Sequence, residues 1–425
     1  MSGVYERQTL ENGIRVLTAP LPHAQSVSCL IMLAAGSRYE TRETSGIAHF
    51  AEHMFFKGTE KRPQARDISG AIDGIGGEFN AFTGKEFTGY YVKCAAEYRD
   101  VALDVLVDML TSSKFEPDEI EREKGVIVEE MNMYFDTPRD YLGGLYEQLL
   151  YGDQPLGWDI IGRKETVRAA TRETFLEYLG RWYRPERIAI GLGGKIEGDL
   201  IGKLEELLGQ IEPGETGAPA PVDLDDGTAS RVLVNTKQSD QAHLIIGVRS
   251  HPLAHPDRYV LQLLGTILGG GMSARLWTEV RERRGLAYYV HAMNQSYTDV
   301  GTLFAQAGVD IERIDEAIST IVVELRRIAE EPVPAEELEK ARASAKGRFA
   351  LQTETPHGLN MFGLRREVVE GRAVEPAEVM TALDAVTAED LQRVAQDVIA
   401  ANGLNLAVIG PFEQDERERF EGLLA

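Results

Sequence analysis

The chain has 425 residues, 43% apolar and 27% charged, which is the make-up of a globular protein large enough for two ordinary domains. Its net charge of −23 argues against nucleic acid or an anionic membrane as partner; it would favour cationic peptides or simply keep an acidic surface solvated. No run approaches the ~18 apolar residues that span a bilayer, residues 1–7 lack a signal-peptide pattern, and Cys29 and Cys94 are too few for a disulfide framework, so a cytoplasmic location is expected.

A strand-like run at residues 30–34 leads into residues 44–56, which read as a helix. Ile47, Phe50, Ala51 and Met54 form an apolar stripe, and His49, Glu52 and His53 centre on the opposite side. Two imidazoles one turn apart can grip one divalent metal, and a neighbouring carboxylate can take a proton from a water. This is His-x-x-Glu-His, the inverse of the zincin His-Glu-x-x-His pattern. The competing reading is a solvated face that happens to hold two His and a Glu.

Residues 76–91 read as a hairpin turning near Gly84-Lys85, and residues 101–110 as a helix. A further helix is expected over residues 117–134, opened by Pro117 and closed before Thr137-Pro138. Ile120, Ile127, Met131 and Tyr134 form its apolar arc, with Glu123 and Glu130 at the edge and Glu129 turned away. Carboxylates facing a core need a cation. Glu130 is the better third metal ligand and Glu123 the acid that orients a ligand, unless both pair with buried Arg or Lys.

Residues 212–221 are rich in Pro and Gly and read as a linker. The segments on either side repeat. Thr171-Arg172-Glu173 and Thr387-Ala388-Glu389 stand 216 residues apart, as do the glycines closing the apolar runs at Gly194 and Gly410. Strand-like runs (243–248 and 303–306) and helical ones (314–328) follow the linker. The expected fold is therefore α+β: two homologous repeats, each a mixed or antiparallel sheet with helices packed on one side. The boundaries are 1–211 for the metal-binding repeat, 212–228 for the linker and 229–425 for a repeat without metal. At an offset of 216, His49, Glu52 and His53 fall on Gly265, Leu268 and Gly269, which cannot hold zinc. The glycine run at 269–271 lacks the endings of phosphate-binding loops. Ser273 is expected to cap a helix running to about Arg284 and ended by Gly285, before a strand over 286–293.

These motifs resemble the pitrilysin and insulin-degrading family of zinc peptidases, which includes the mitochondrial processing peptidase. The resemblance covers nearly the whole chain, and Glu130 follows His53 by 77 residues, the family's usual spacing. It implies that His49, His53 and Glu130 bind Zn2+, that Glu52 is the general base and that Glu123 supports the ligands. It implies further that Glu78, Asn80 and Ala81 lie on an edge strand that holds the substrate backbone, and that Arg281 and Tyr288 stabilise developing oxyanion charge. Without it, a surface ion pair for Arg281 and a core position for Tyr288 compete evenly with that role. The implied function is a zinc endopeptidase acting on peptides or unfolded polypeptides as a homodimer. A non-catalytic scaffold, like the respiratory-complex core proteins of the same family, is the alternative.

Overall fold

In a computed structural model, residues 3–224 and 231–425 are described; the end of the expected linker, 225–228, and residues 1–2 and 229–230 lie outside the described residues. Eleven strands among the described residues form two mixed sheets. The first holds β1 (Glu6–Thr9), β2 (Arg15–Pro20), β3 (Ser26–Leu33), β4 (Glu78–Thr83), β5 (Thr88–Ala95) and β6 (Ile188–Gly194), in the order β1-β2-β6-β3-β5-β4. The second holds β7 (Arg231–Thr236), β8 (Ala242–Ser250), β9 (Ala287–Ser296), β10 (Gly301–Val309) and β11 (Asn405–Gly410), in the order β7-β11-β8-β10-β9. Among the described residues only β2/β6 and β7/β11 are parallel pairs. Strand for strand, the second sheet repeats the first without β1.

The helices follow the same period. The first half carries α1 (Ile47–Met54), α2 (Ala65–Asp73), α3 (Arg99–Ser112), α4 (Pro117–Asp136), α5 (Pro138–Tyr151), α6 (Lys164–Ala169), α7 (Arg172–Trp182) and α8 (Leu200–Leu208). The second carries α9 (Arg258–Gly269), α10 (Ile314–Glu330), α11 (Ala335–Thr353), α12 (Pro356–Glu370), α13 (Pro376–Ala385), α14 (Ala388–Ala395) and α15 (Arg417–Leu424). Each expected strand and each expected helix but one falls on these elements; the remaining helix starts at Arg275, after Ala274, so Ser273 does not cap it. The helix expected from Ser273 to Arg284 is π-helical over Trp277–Glu282, where the Arg283 N–H reaches back five residues to the Thr278 carbonyl. Gly285, at φ +62°, ends it as expected.

Packing divides the chain into two compact units. One unit takes the chain up to Asn132, Asp159–Ala220 and Phe349–Glu378; the other takes Met133–Trp158, the described part of Pro221–Arg348 and Val379–Ala425. Compared with the division at 212–228, each unit has exchanged a helix. From late in the sequence, α12 packs on β2, β3 and β6, where Leu359, Leu364 and Val368 meet Leu17, Leu30 and Met32. From early in it, α5 packs on β7, β8 and β11, where Leu142, Leu145 and Tyr146 meet Ile245, Phe304 and Ala407. Gly191 and Gly193 make the first docking possible: a Cβ on Gly191 would lie 2.1 Å from Asn360 Oδ1, and one on Gly193 2.4 Å from the Pro356 carbonyl. The Asn360 amide then donates to the Ser28 carbonyl at 3.0 Å.

Candidate metal centre

Helix α1 is fixed at both its start and its inner face. It begins after Gly46, whose φ of +95° and close approach to Ile161 leave no room for a side chain. The buried Glu40 carboxyl group accepts the Gly46 and Ala48 N–H groups, each at 2.8 Å, and so ties down the first turn. Ile47, Ala48, Phe50, Ala51 and Met54 are buried, and Phe50 meets Phe175 edge-on at 4.8 Å. This inner face leaves His49, Glu52 and His53 on the half-buried outer side.

Helix α4 supplies the acids. Ile120, Glu123, Ile127 and Met131 are its buried residues; Tyr134, expected in the apolar arc, is only half-buried because it lies near the helix end. Glu129 is exposed. Glu130 Oε1 lies 3.7 Å from His49 Nε2, and its Oε2 lies 3.5 Å from His53 Nε2. One ligand atom from each of His49, His53 and Glu130 falls within 4.8 Å of the others. These separations are too long for good hydrogen bonds. Each is slightly longer than the spacing of about 3.4 Å between ligands that lie about 2.0–2.1 Å from a tetrahedral zinc, with a different Glu130 oxygen facing each ring. The donor set is also the right one for that metal.

Electrostatics separates the roles of the two rings. Burial, reinforced by the neighbouring His53, pushes His49 down to about 3, so it is the neutral imidazole a metal needs. Its Nδ1 is buried with no hydrogen-bond partner among the described residues. Burial also works against charge on His53, but the hydrogen bond from its ring to Glu123 and the nearby carboxylates outweigh it and raise that pKa. Glu123 Oε1 lies 2.9 Å from His53 Nδ1, and its other oxygen lies 2.5 Å from Lys57 Nζ. That leaves His53 Nε2 directed at Glu130.

Glu52 sits beside this group. Burial raises its pKa, and the Thr83 hydroxyl, which donates to it at 2.5 Å, partly offsets the rise. Thr83 ends β4, an edge strand that among the described residues pairs only with β5. On that strand Glu78 pairs with Lys93 of β5, and the Asn80 side-chain oxygen accepts the Ala81 N–H at 2.8 Å. Glu52 and the open sheet edge are therefore joined through one hydroxyl. Sequence reasoning missed Thr83, Lys57 and Glu40. Lys57 follows His53 by four residues and could have been noticed by helical spacing; Thr83 and Glu40 carry no signal in the sequence.

Arg281 and Tyr288 lie in the other unit and meet there. The Arg281 guanidinium stands 4.0 Å from the Trp277 ring centre and 5.4 Å from that of Tyr288. Tyr288 is 74% exposed and is not a core residue. On α9 the positions matching His49 and His53 are crowded from outside: a Cβ on Gly265 would lie 3.1 Å from Met293 Cα, a tight contact, and one on Gly269 2.1 Å from Ala292 N, a clash. At Gly269 the backbone of β9 takes the space that a side chain would need.

His251, His255 and Asp257 form a second close group in that unit. Arg393 already holds Asp257 with bonds of 2.9 and 2.7 Å, and the two rings stack face to face at 3.8 Å. Stacked rings do not aim their nitrogens at a common point, so this group is an ion-paired cluster.

Residues 15–164 match the model of the insulinase family, peptidase family M16, and residues 169–345 match that of the peptidase M16 inactive domain. The chain is 35% identical over 408 residues to the uncharacterized zinc protease YmxG of Bacillus subtilis, covering 96% of this chain and 98% of the relative. It is 33% identical to an uncharacterized zinc protease of Streptomyces coelicolor, covering 100% and 93%. Among solved structures, a protease from Helicobacter pylori superposes with a TM-score of 0.88 at 21% identity, covering 97% and 100% of the two chains. A peptidase M16 inactive domain from Pseudomonas fluorescens gives 0.87 at 17% identity, covering 96% and 98%, and these two likenesses speak for the fold. The chain belongs to the M16, or pitrilysin, family of peptidases, as one of its half-length bacterial members.

Proposed function

We propose that this protein is a zinc-dependent endopeptidase that hydrolyses peptides or small unfolded proteins. The convergence of His49, His53 and Glu130 beside Glu52 carries the reading. Bound there, zinc would supply Lewis-acid polarisation of a water and of the scissile carbonyl. Glu52, half-buried and steadied by Thr83, takes a proton from the attacking water and returns it to the leaving amine. Glu123 holds the His53 ring in register. The edge of β4, at Glu78, Asn80 and Ala81, receives the substrate as an added strand, since main-chain hydrogen bonds ignore side-chain identity.

In the same reading the chain works as a homodimer in the cytoplasm, and Arg281 and Tyr288 stabilise the oxyanion in the partner's site. The match of residues 169–345 to an inactive domain keeps a second reading open, a non-catalytic scaffold. Replacing Glu52 by Gln separates the two. The proposal expects the variant to keep zinc by metal analysis and to lose turnover of a quenched peptide that the native protein cleaves. Native protein that binds no zinc or cleaves no peptide would favour the scaffold. Near-native turnover of Glu52→Gln would remove Glu52 from the role of base.

A further inference from the structure

Helices α9 and α11 are the second-repeat counterparts of α1 and α4, the helices that carry the metal-ligand candidates. Between them lies a cavity of about 420 Å3, within the size range of sites for small ligands. Its charge is the opposite of the metal centre's. Lys340 and Arg348 of α11 line it, together with Glu337, which is already neutralised by two bonds from Arg275 at 2.9 and 2.6 Å. Helices α4 and α11 start 218 residues apart, and at that offset Arg348 stands where Glu130 stands in the first repeat.

The cations are held but not used up. Arg348 donates to the Gly270 carbonyl, and Lys340 Nζ donates to the Ser273 carbonyl at 3.1 Å. A guanidinium has five N–H donors and an ammonium three, so most of them remain available. Gly271 lets the guanidinium lie against the loop, since a Cβ there would come within 3.1 Å of Arg348 Nη2. The remaining lining mixes apolar groups (Ile267, Ala274, Ala341) with the hydroxyls of Thr266, Ser273 and Ser344. Met272, 76% exposed, stands at the rim.

From this we infer that the cavity binds a carboxylate of a peptide next to an apolar side chain, with Lys340 and Arg348 as its charge partners. Both an α-carboxylate and a Glu side chain present that chemistry. The site rests on the peptidase reading only in taking the ligand to be a peptide. In a chain of net charge −23, a local pair of cations is what can draw a carboxylate in.

The test uses the full-length Glu52→Gln protein, so that no peptide is consumed, and fluorescence polarisation of three labelled peptides. One has a free C-terminal Leu, one has the same sequence amidated, and one is amidated with an internal Glu beside Leu. The inference expects the free acid or the Glu peptide to bind at least about tenfold more tightly than the neutral amide, the factor that a charge-assisted hydrogen bond supplies. The preferred peptide identifies the source of the carboxylate. Lys340→Gln and Arg348→Gln, both exposed positions, should each remove most of that preference while the unfolding midpoint stays unchanged. Equal binding of all three peptides, or a preference that survives both substitutions, would overturn the inference. Because binding is read without turnover, a protein that selects carboxylates yet cleaves nothing would fail the peptidase reading and leave this site standing.

Discussion

Glu123 sends one oxygen to His53 and the other to Lys57, so a single buried carboxylate orients a ring and is itself kept ionised. Burial works against that ionisation, but His53 and Lys57 outweigh it and hold the Glu123 carboxyl below the usual range. Glu123→Ala should weaken zinc binding by about 10–100-fold in a chelator competition, as loss of a ligand's supporting partner does. An unchanged affinity would strip Glu123 of this role. Glu40 acts through the backbone instead. Burial pushes its carboxyl up to about 8, against the two N–H groups that it accepts. Its folded pKa thus lies above the ordinary value of 4.5, and between those values the folded state keeps a proton that the unfolded chain releases. Its contribution to stability is complete below 4.5 and is lost as pH rises through 8. Native protein should therefore lose unfolding midpoint relative to Glu40→Gln from about pH 5 to about pH 8, and parallel curves would contradict this. The histidines were legible in the sequence because helical spacing alone sets them side by side. Glu40 was not, since a loop rather than a helix delivers it to α1.

Helices α5 and α12 occupy matching places in the repeat, yet each packs on the other half's sheet. Sequence periodicity revealed the repeat and its 216-residue step. It could not reveal this exchange, because a period records which segments are alike and not which ones touch. What anchors α12 is partly polar. Glu367 is fully buried, accepts from Arg7 Nε at 3.1 Å, and stands 3.6 Å from Arg15 Nη1, whose guanidinium also donates to the Glu367 carbonyl at 3.0 Å. Glu367→Ala would leave those cations without their carboxylate and should cost about 3 kcal/mol, read from denaturant unfolding. A loss below about 0.5 kcal/mol would show that apolar contacts alone hold α12. The π-helical turn at Trp277–Glu282 was equally hidden, because an i→i+5 bond leaves no pattern that distinguishes it from an α-helix.

For the molecule as a whole, the proposed homodimer makes a prediction about mixed subunits. If Arg281 serves the partner's zinc site, a chain carrying Arg281→Ala and a chain carrying Glu52→Gln are each inactive alone. A statistical mixture of the two should recover about a quarter of the native sites, read as peptide turnover. No recovery in mixtures proven to contain mixed dimers would count against the exchange. The two repeats are unequal in a more lasting way. On α9, Gly265 and Gly269 let β9 come so close that its backbone lies where side chains would start. A side chain at Gly269 would have to push α9 off β9, and one at Gly265 would press on Met293, so histidines at those two positions would separate helix from strand before they could form a second group of ligands.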